Sequence, residues 1–250
     1  MRNRPIPFSP ELNDTALFLG LYGTLIERTA TPGNTVAGQR IVRLLQTLKI
    51  QLDGAIGIVS GHSIKSIDAT LTPFTCAAAG LYGAEHRPTE DYIVRRIPRG
   101  FVKLGKTKAF LNQQAERMPG VTFEDRDLVL ALHFGDAPEQ KKMVANTLKI
   151  AADRLGQSYQ IIHSRKAYEL KPVSANKGES IDSYMSQWPF LTKRPIFIGN
   201  DLSDEIGFQV VNKLEGISVR VGDVPKEKTH AQYTLPNVAA VLDWLDACLS

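Results

Sequence analysis

The chain is poor in sulfur and in long apolar runs. Its 250 residues include only two cysteines, Cys76 and Cys248, far apart in sequence, without the paired spacing of a metal knuckle or the density of a disulfide-stapled scaffold. Reduced, buried thiols are therefore expected. The opening Met1-Arg2-Asn3-Arg4-Pro5 is basic, but no apolar signal-peptide core or small-residue cleavage pattern follows it. No stretch approaches about eighteen uninterrupted apolar residues. Neither secretion nor a membrane span is expected, no membrane partner is expected, and the expected address is cytoplasmic. Internal repeats and low-complexity segments are absent too. Charge is nearly balanced, with 30 basic and 26 acidic residues for a net +4. The densest basic spots, Arg95-Arg96 to Lys108 and Lys226 to Lys228, suit a solvated helix face or a site for an anionic small molecule better than nucleic acid.

What is present is apolar bulk in short pieces. An apolar fraction of 43% over 250 residues can bury one large core, with room for an inserted second unit. Leu17-Phe18-Leu19, Ala55 to Val59, Cys76 to Ala79, Pro195 to Ile198 and Ile217 to Val221 read as buried strands. Between them lie segments with helical spacing, such as Ile41, Leu44, Leu45 and Leu48. That alternation is the signature of a doubly wound α/β fold around a parallel sheet. A final helical face, Val238, Val241, Leu242, Leu245 and Leu249, is expected to close it.

The middle third has another rhythm: a helix, strands over 121–124 and 128–134, a helix over 138–154, and strands over 159–163 and 167–170. Antiparallel pairs of strands with two helices predict an inserted α+β cap. The expected division is 1–98 with 172–250 for the core and 99–171 for the cap. Insertions of this kind often cover the carboxyl ends of the core strands, where ligands bind.

Four stretches carry chemistry. Gly20-Leu21-Tyr22-Gly23-Thr24-Leu25 follows the first strand and Ser60-Gly61-His62-Ser63 the second. Lys171-Pro172 and Asn176-Lys177-Gly178 come after the middle third, and Gly199-Asn200-Asp201-Leu202-Ser203-Asp204-Glu205 follows the fourth strand. In this order they resemble the motifs of haloacid-dehalogenase phosphatases, whose first motif reads D-x-D-G-T-L. Gly80 to Glu85, Ala131-Leu132-His133, Glu169-Leu170-Lys171-Pro172 and Gly207-Phe208 to Asn212 narrow the likeness to trehalose-6-phosphate phosphatases, over roughly residues 15–246.

That resemblance implies a nucleophilic aspartate, a second aspartate as acid and base, and a magnesium ion held partly by the acidic motif. Here the two aspartate positions hold Gly20 and Tyr22, and the acidic motif begins with Asn200. A phenol with an ordinary pKa of about 10 is a poor base near neutrality. Asp14, six residues upstream on an extended run, stands about 20 Å away. With only Asp201 and Asp204 as residual candidates, magnesium binding is expected to be weak or nil.

The likeness also carries over Ser60, Gly61 and Lys177 as phosphate contacts, and Glu85, His133, Glu169 and Lys171 as sugar and phosphate contacts. Bland readings stand beside each. Ser60 could cap a helix starting near Ser63, Asp201 could cap a helix with Asp204 and Glu205 near its positive end, and Tyr22 could plug the pocket. His62 stands where relatives carry arginine. The expectation is a catalytically impaired relative that binds trehalose-6-phosphate or a similar sugar phosphate, senses it, or docks on an enzyme of trehalose metabolism. A weakly active phosphatase and an interaction module with a blocked pocket are the rivals.

Overall fold

A short edge strand β1 (Arg4–Pro5) precedes β2 (Thr15–Leu19), whose five residues are all buried, as expected of a strand covered on both faces. Helix α1 (Gln39–Gln51) buries Val42, Leu44, Leu45 and Leu48 on one stripe. It leads into the fully buried β3 (Ile56–Val59), then α2 (Ile64–Leu71) and β4 (Ala77–Gly80). Two short strands follow, β5 (Glu85–Arg87) and β6 (Val94–Arg95). The chain, a computed structural model, is described over residues 4–6, 12–27, 37–90, 92–164, 166–223 and 229–249. Residues 1–3, Lys226 and Lys228 lie outside the described residues.

The chain divides into two compact units, residues 1–94 with 176–250, and residues 95–175. The second is built of α3 (Leu104–Glu116), β7 (Thr122–Arg126), β8 (Val129–His133), α4 (Lys141–Leu155), β9 (Tyr159–His163) and β10 (Ala167–Pro172). Its four strands run antiparallel in the order β7-β8-β10-β9. Because side chains alternate across a strand, Leu130, Leu132 and Leu170 fall on one face with the buried stripes of α3 and α4. Glu124, Arg126, His133 and Glu169 fall on the other.

The first unit resumes with α5 (Lys177–Met185), β11 (Arg194–Gly199), α6 (Glu205–Lys213), β12 (Ile217–Val221), β13 (Tyr233–Leu235) and α7 (Val238–Ala247). Its sheet has the order β1-β13-β12-β11-β2-β3-β4-β5-β6 and is parallel from β1 through β4. From β2 the chain winds outward through β3 and β4, then returns to β11 on the other flank and winds outward again. The switch point therefore lies between β2 and β11, which is where such sheets open a crevice at the strand carboxyl ends. The doubly wound expectation holds. Strand β5, antiparallel to β4, was not read from sequence, because its residues Glu-His-Arg are polar yet buried.

Candidate functional site

At the switch point β2 ends in Gly20, whose N–H donates to the Ile198 carbonyl at 2.8 Å. The turn that follows needs Gly23, at φ 81°, and is closed by Leu25 N–H to the Leu21 carbonyl at 2.8 Å. This brings Thr24 back over Gly20: a Cβ on Gly20 would stand 2.7 Å from the Thr24 hydroxyl oxygen. That oxygen is buried and has no hydrogen-bond partner among the described residues. Tyr22 is half-buried, edge-on to His62 with ring centroids 4.8 Å apart. The Thr70 hydroxyl donates to the Ser66 carbonyl at 2.8 Å. Tyr22 must then be the donor of its 3.1 Å bond to the Thr70 oxygen. Its phenol is held against α2.

Beyond β3, the Ser60 side-chain oxygen accepts the His62 N–H at 3.1 Å. The Ser60 hydroxyl hydrogen has no acceptor among the described residues. The cap of α2 is Ser63, which accepts from Ser66 N–H. A further acceptor at that helix start is Glu85, buried to 2% exposure, whose carboxylate takes the Ile64 N–H at 2.7 Å. Tyr82, at φ 61°, donates its N–H to the Ser60 carbonyl at 2.9 Å. Its ring lies on Gly61, where a Cβ would stand 2.6 Å from the ring carbon bearing the hydroxyl. Only glycine allows that approach.

Lys177, 6% exposed, opens α5 directly after its cap Asn176, which accepts Gly178 and Glu179 N–H. Its ammonium stands 5.4 Å over the Tyr82 ring and donates to Asp204 Oδ1 at 2.6 Å. Asp204 Oδ2 accepts the backbone N–H of Asn200 at 2.9 Å and of Asp201 at 2.8 Å. Both of its oxygens are thus engaged. Asp201 caps the short turn after β11, accepting from Ser203 N–H at 3.3 Å, and forms a reciprocal box with Asp204. Glu205 receives Arg220 at 2.6 Å, the Thr229 hydroxyl at 2.8 Å and His230 N–H at 2.7 Å. Arg220 also donates to the Asn200 carbonyl at 3.2 Å. Arg220, at the end of β12, was read from sequence only as part of a strand.

The second unit has a polar centre of its own. Glu124 and Glu169 stand across from Ala131 on neighbouring strands. Arg126 joins them, 2.5 Å from Glu124 and 3.2 Å from Glu169, while His133 Nε2 is 2.7 Å from Glu124. Burial opposes ionisation of Glu124, but hydrogen bonds from His133 and Arg126 outweigh it and hold the carboxyl well below the usual range. Sequence reading singled out His133 and Glu169 but missed Glu124 and Arg126, whose signal was a pair of opposite charges two positions apart on β7. The Lys171 ammonium donates to the Ala175 carbonyl.

Within the first unit, then, the tips of β2 and β11 meet directly, Gly61 and Lys177 lie at the Tyr82 ring, and the Ser60 carbonyl accepts the Tyr82 N–H. Within the second, His133 and Glu169 share one network, and Lys171 has its own backbone acceptor. Asp14 stands at the far end of β2, its carbonyl accepting Arg194 N–H at 2.6 Å. No helix among the described residues is long and apolar enough to cross a membrane.

The trehalose-phosphatase profile matches residues 18–239. The chain is similar to the trehalose-6-phosphate phosphatase of Escherichia coli (strain K12), 33% identical over 248 residues, covering 97% of this chain and 90% of that protein. In solved structures, the C-terminal domain of C. albicans trehalose-6-phosphate phosphatase superposes with TM-score 0.83 at 18% identity, covering 99% of both chains. The C-terminal domain of the Candida albicans trehalose synthase regulatory protein does so with TM-score 0.75 at 13% identity, covering 98% of this chain and 100% of that one. At such identities the two structures speak for the fold. The profile and the bacterial relative settle the family: this chain belongs to the trehalose-phosphatase family.

Proposed function

We propose that this chain binds a sugar phosphate, trehalose-6-phosphate first among candidates, and acts as a regulator in trehalose metabolism without turning its ligand over. One observation carries the reading. At the tip of β2, where the family's chemistry needs a carboxylate to attack phosphorus, stands Gly20, and beside it the buried Thr24 hydroxyl has no partner among the described residues. Tyr22, tied to Thr70, is in no position to supply what is lost.

The donor set does not suit the magnesium that the family's phosphatases use. Magnesium is held through carboxylates and phosphate oxygens. Here position 20 has no side chain, Asn200 is neutral, and Asp204 is occupied by Lys177 and two backbone N–H groups. Losing these carboxylates also removes repulsion against a phosphate dianion. The Ser60 hydroxyl and the remaining Lys177 N–H groups then favour an anion without a metal. The second unit, by itself, presents a face of carboxylates, a guanidinium and an imidazole whose chemistry suits hydroxyl-rich ligands.

The test pairs two measurements. Calorimetric titration with trehalose-6-phosphate in chelator should give heat, and phosphate release with magnesium should stay at background. The Gly20→Asp, Tyr22→Asp, Asn200→Asp triple variant serves as comparison for release. A flat titration rejects the ligand, and sustained release by the purified chain rejects the loss of turnover. The Tyr82 ring closed over Gly61 favours a second reading, an interaction module with a filled pocket. Tyr82→Ala, expected to open the anion site, would separate the two: heat gained only in that variant speaks for the filled pocket.

A further inference from the structure

The charge of this protein is unevenly placed in three dimensions. Segments 99–116 and 138–155, which form the helical layer of the second unit, hold eight lysines and arginines and three acids, Glu116, Glu139 and Asp153. The Arg154 guanidinium lies 3.8 Å over the Phe110 ring, which fixes α4 beside α3. Lys103, Lys106, Lys142 and Lys149 are exposed, and none of their ammonium groups has an ion-pair or hydrogen-bond partner among the described residues. Such crowding of exposed cations gives this layer a local positive field that attracts anionic partners.

Apolar side chains protrude among these cations. Val102 is 91% exposed, Met143 55%, Ile150 49% and Phe101 42%. They lie along one line. The turn carrying Phe101 and Val102 packs on the carboxyl end of α4, where a Cβ on Gly100 would stand 2.9 Å from the Leu155 carbonyl. Ile150 is near that end, and Met143 lies about 10 Å further along the helix.

We propose that this helical layer binds the surface of an anionic lipid bilayer. Lysines would meet the headgroups while the aliphatic row enters the boundary with the acyl chains. Single-stranded nucleic acid is bound on stacking aromatics, and this row offers one. A protein partner is anchored by aromatic residues seated in pockets, whereas these side chains are aliphatic and stand out from the surface. The sequence expectation of no membrane partner came from the absence of a spanning run. Surface attachment depends instead on residues some forty positions apart meeting on one face.

The experiment is flotation of the full chain with vesicles of phosphatidylcholine alone or mixed with phosphatidylglycerol. Binding is expected only with the anionic vesicles, and is expected to weaken sharply at about 1 M salt, where screening acts within about 3 Å. Lys106→Glu with Lys142→Glu and Lys149→Glu should lower vesicle affinity at least about a hundredfold, with circular dichroism and the sugar-phosphate titration unchanged. Val102→Ser with Ile150→Ser should keep low-salt binding but lose the fraction that resists salt. Absence of binding to anionic vesicles, equal binding to neutral ones, or an unaffected charge-reversal variant would overturn the assignment. So would tighter binding to single-stranded RNA than to the anionic vesicles.

Discussion

Lys177 and Asp204 are the most consequential pair at the scale of single residues. Both are nearly excluded from water, at 7% and 1% side-chain exposure, and 2.6 Å apart. A buried pair gives little net stability over an apolar one, but removing one partner leaves an uncompensated charge. Asp204→Asn should therefore lower stability by about 3–5 kcal/mol, read as a fall in the urea midpoint at unchanged slope. A midpoint like that of the parent would mean that the lysine charge finds another partner. Asp204, a residual metal-ligand candidate by sequence, has one carboxylate oxygen on this lysine and the other on the N–H groups of Asn200 and Asp201. Cys76 is a quieter case: burial pushes its thiol up to about 12, so it stays protonated and inert.

Two elements show how charge is buried without loss of structure. Strand β5 consists of Glu85, His86 and Arg87, each under 8% exposed. Glu85 accepts from the first turn of α2, His86 stacks on Tyr184 with centroids 4.2 Å apart, and Arg87 grips Asp68 through two 2.7 Å bonds. On β7, Glu124 is held by His133 and Arg126. Its folded pKa is depressed. Its stabilising contribution is thus whole above the ordinary glutamate value of about 4.3, and is lost only as pH falls through the lower folded value. His133→Ala removes one of the bonds that depress it. Carbon-detected NMR titration should then show the Glu124 carboxyl protonating at higher pH, and acid unfolding of the second unit should begin earlier. An unmoved titration would assign the depression to Arg126 alone.

The whole molecule is two units with separate apolar interiors. The main cluster, built around Phe18, Phe190, Phe197 and Phe208, lies within the first unit. The second is centred on Leu111, Leu130, Leu132 and Leu148, all fully buried. Leu148→Ala should cost the second unit about 2–5 kcal/mol. Hydrogen exchange should accelerate in α3, α4 and β7 to β10 while β2, β3 and β11 keep their protection. Uniform acceleration across both units would show that they unfold as one.

The local order of apolar residues determined most of the architecture: both-face burial made β2, β3 and β11 uninterrupted apolar runs, and helical spacing marked α1 and α7. Short motifs at strand ends pointed to the family, and the proposed loss of turnover rests on Gly20, Tyr22 and Asn200, positions that are legible in the sequence itself. Tertiary structure alone decided which partners the surviving polar groups take. That Asp204 belongs to Lys177, that Glu85 serves α2, that Glu124 and Arg126 join His133 and Glu169, and that scattered lysines share one helical layer are facts of proximity between distant segments. Hydrogen bonds and Coulomb forces act over a few ångströms of space, and sequence spacing does not encode that distance once strands pair and helices pack.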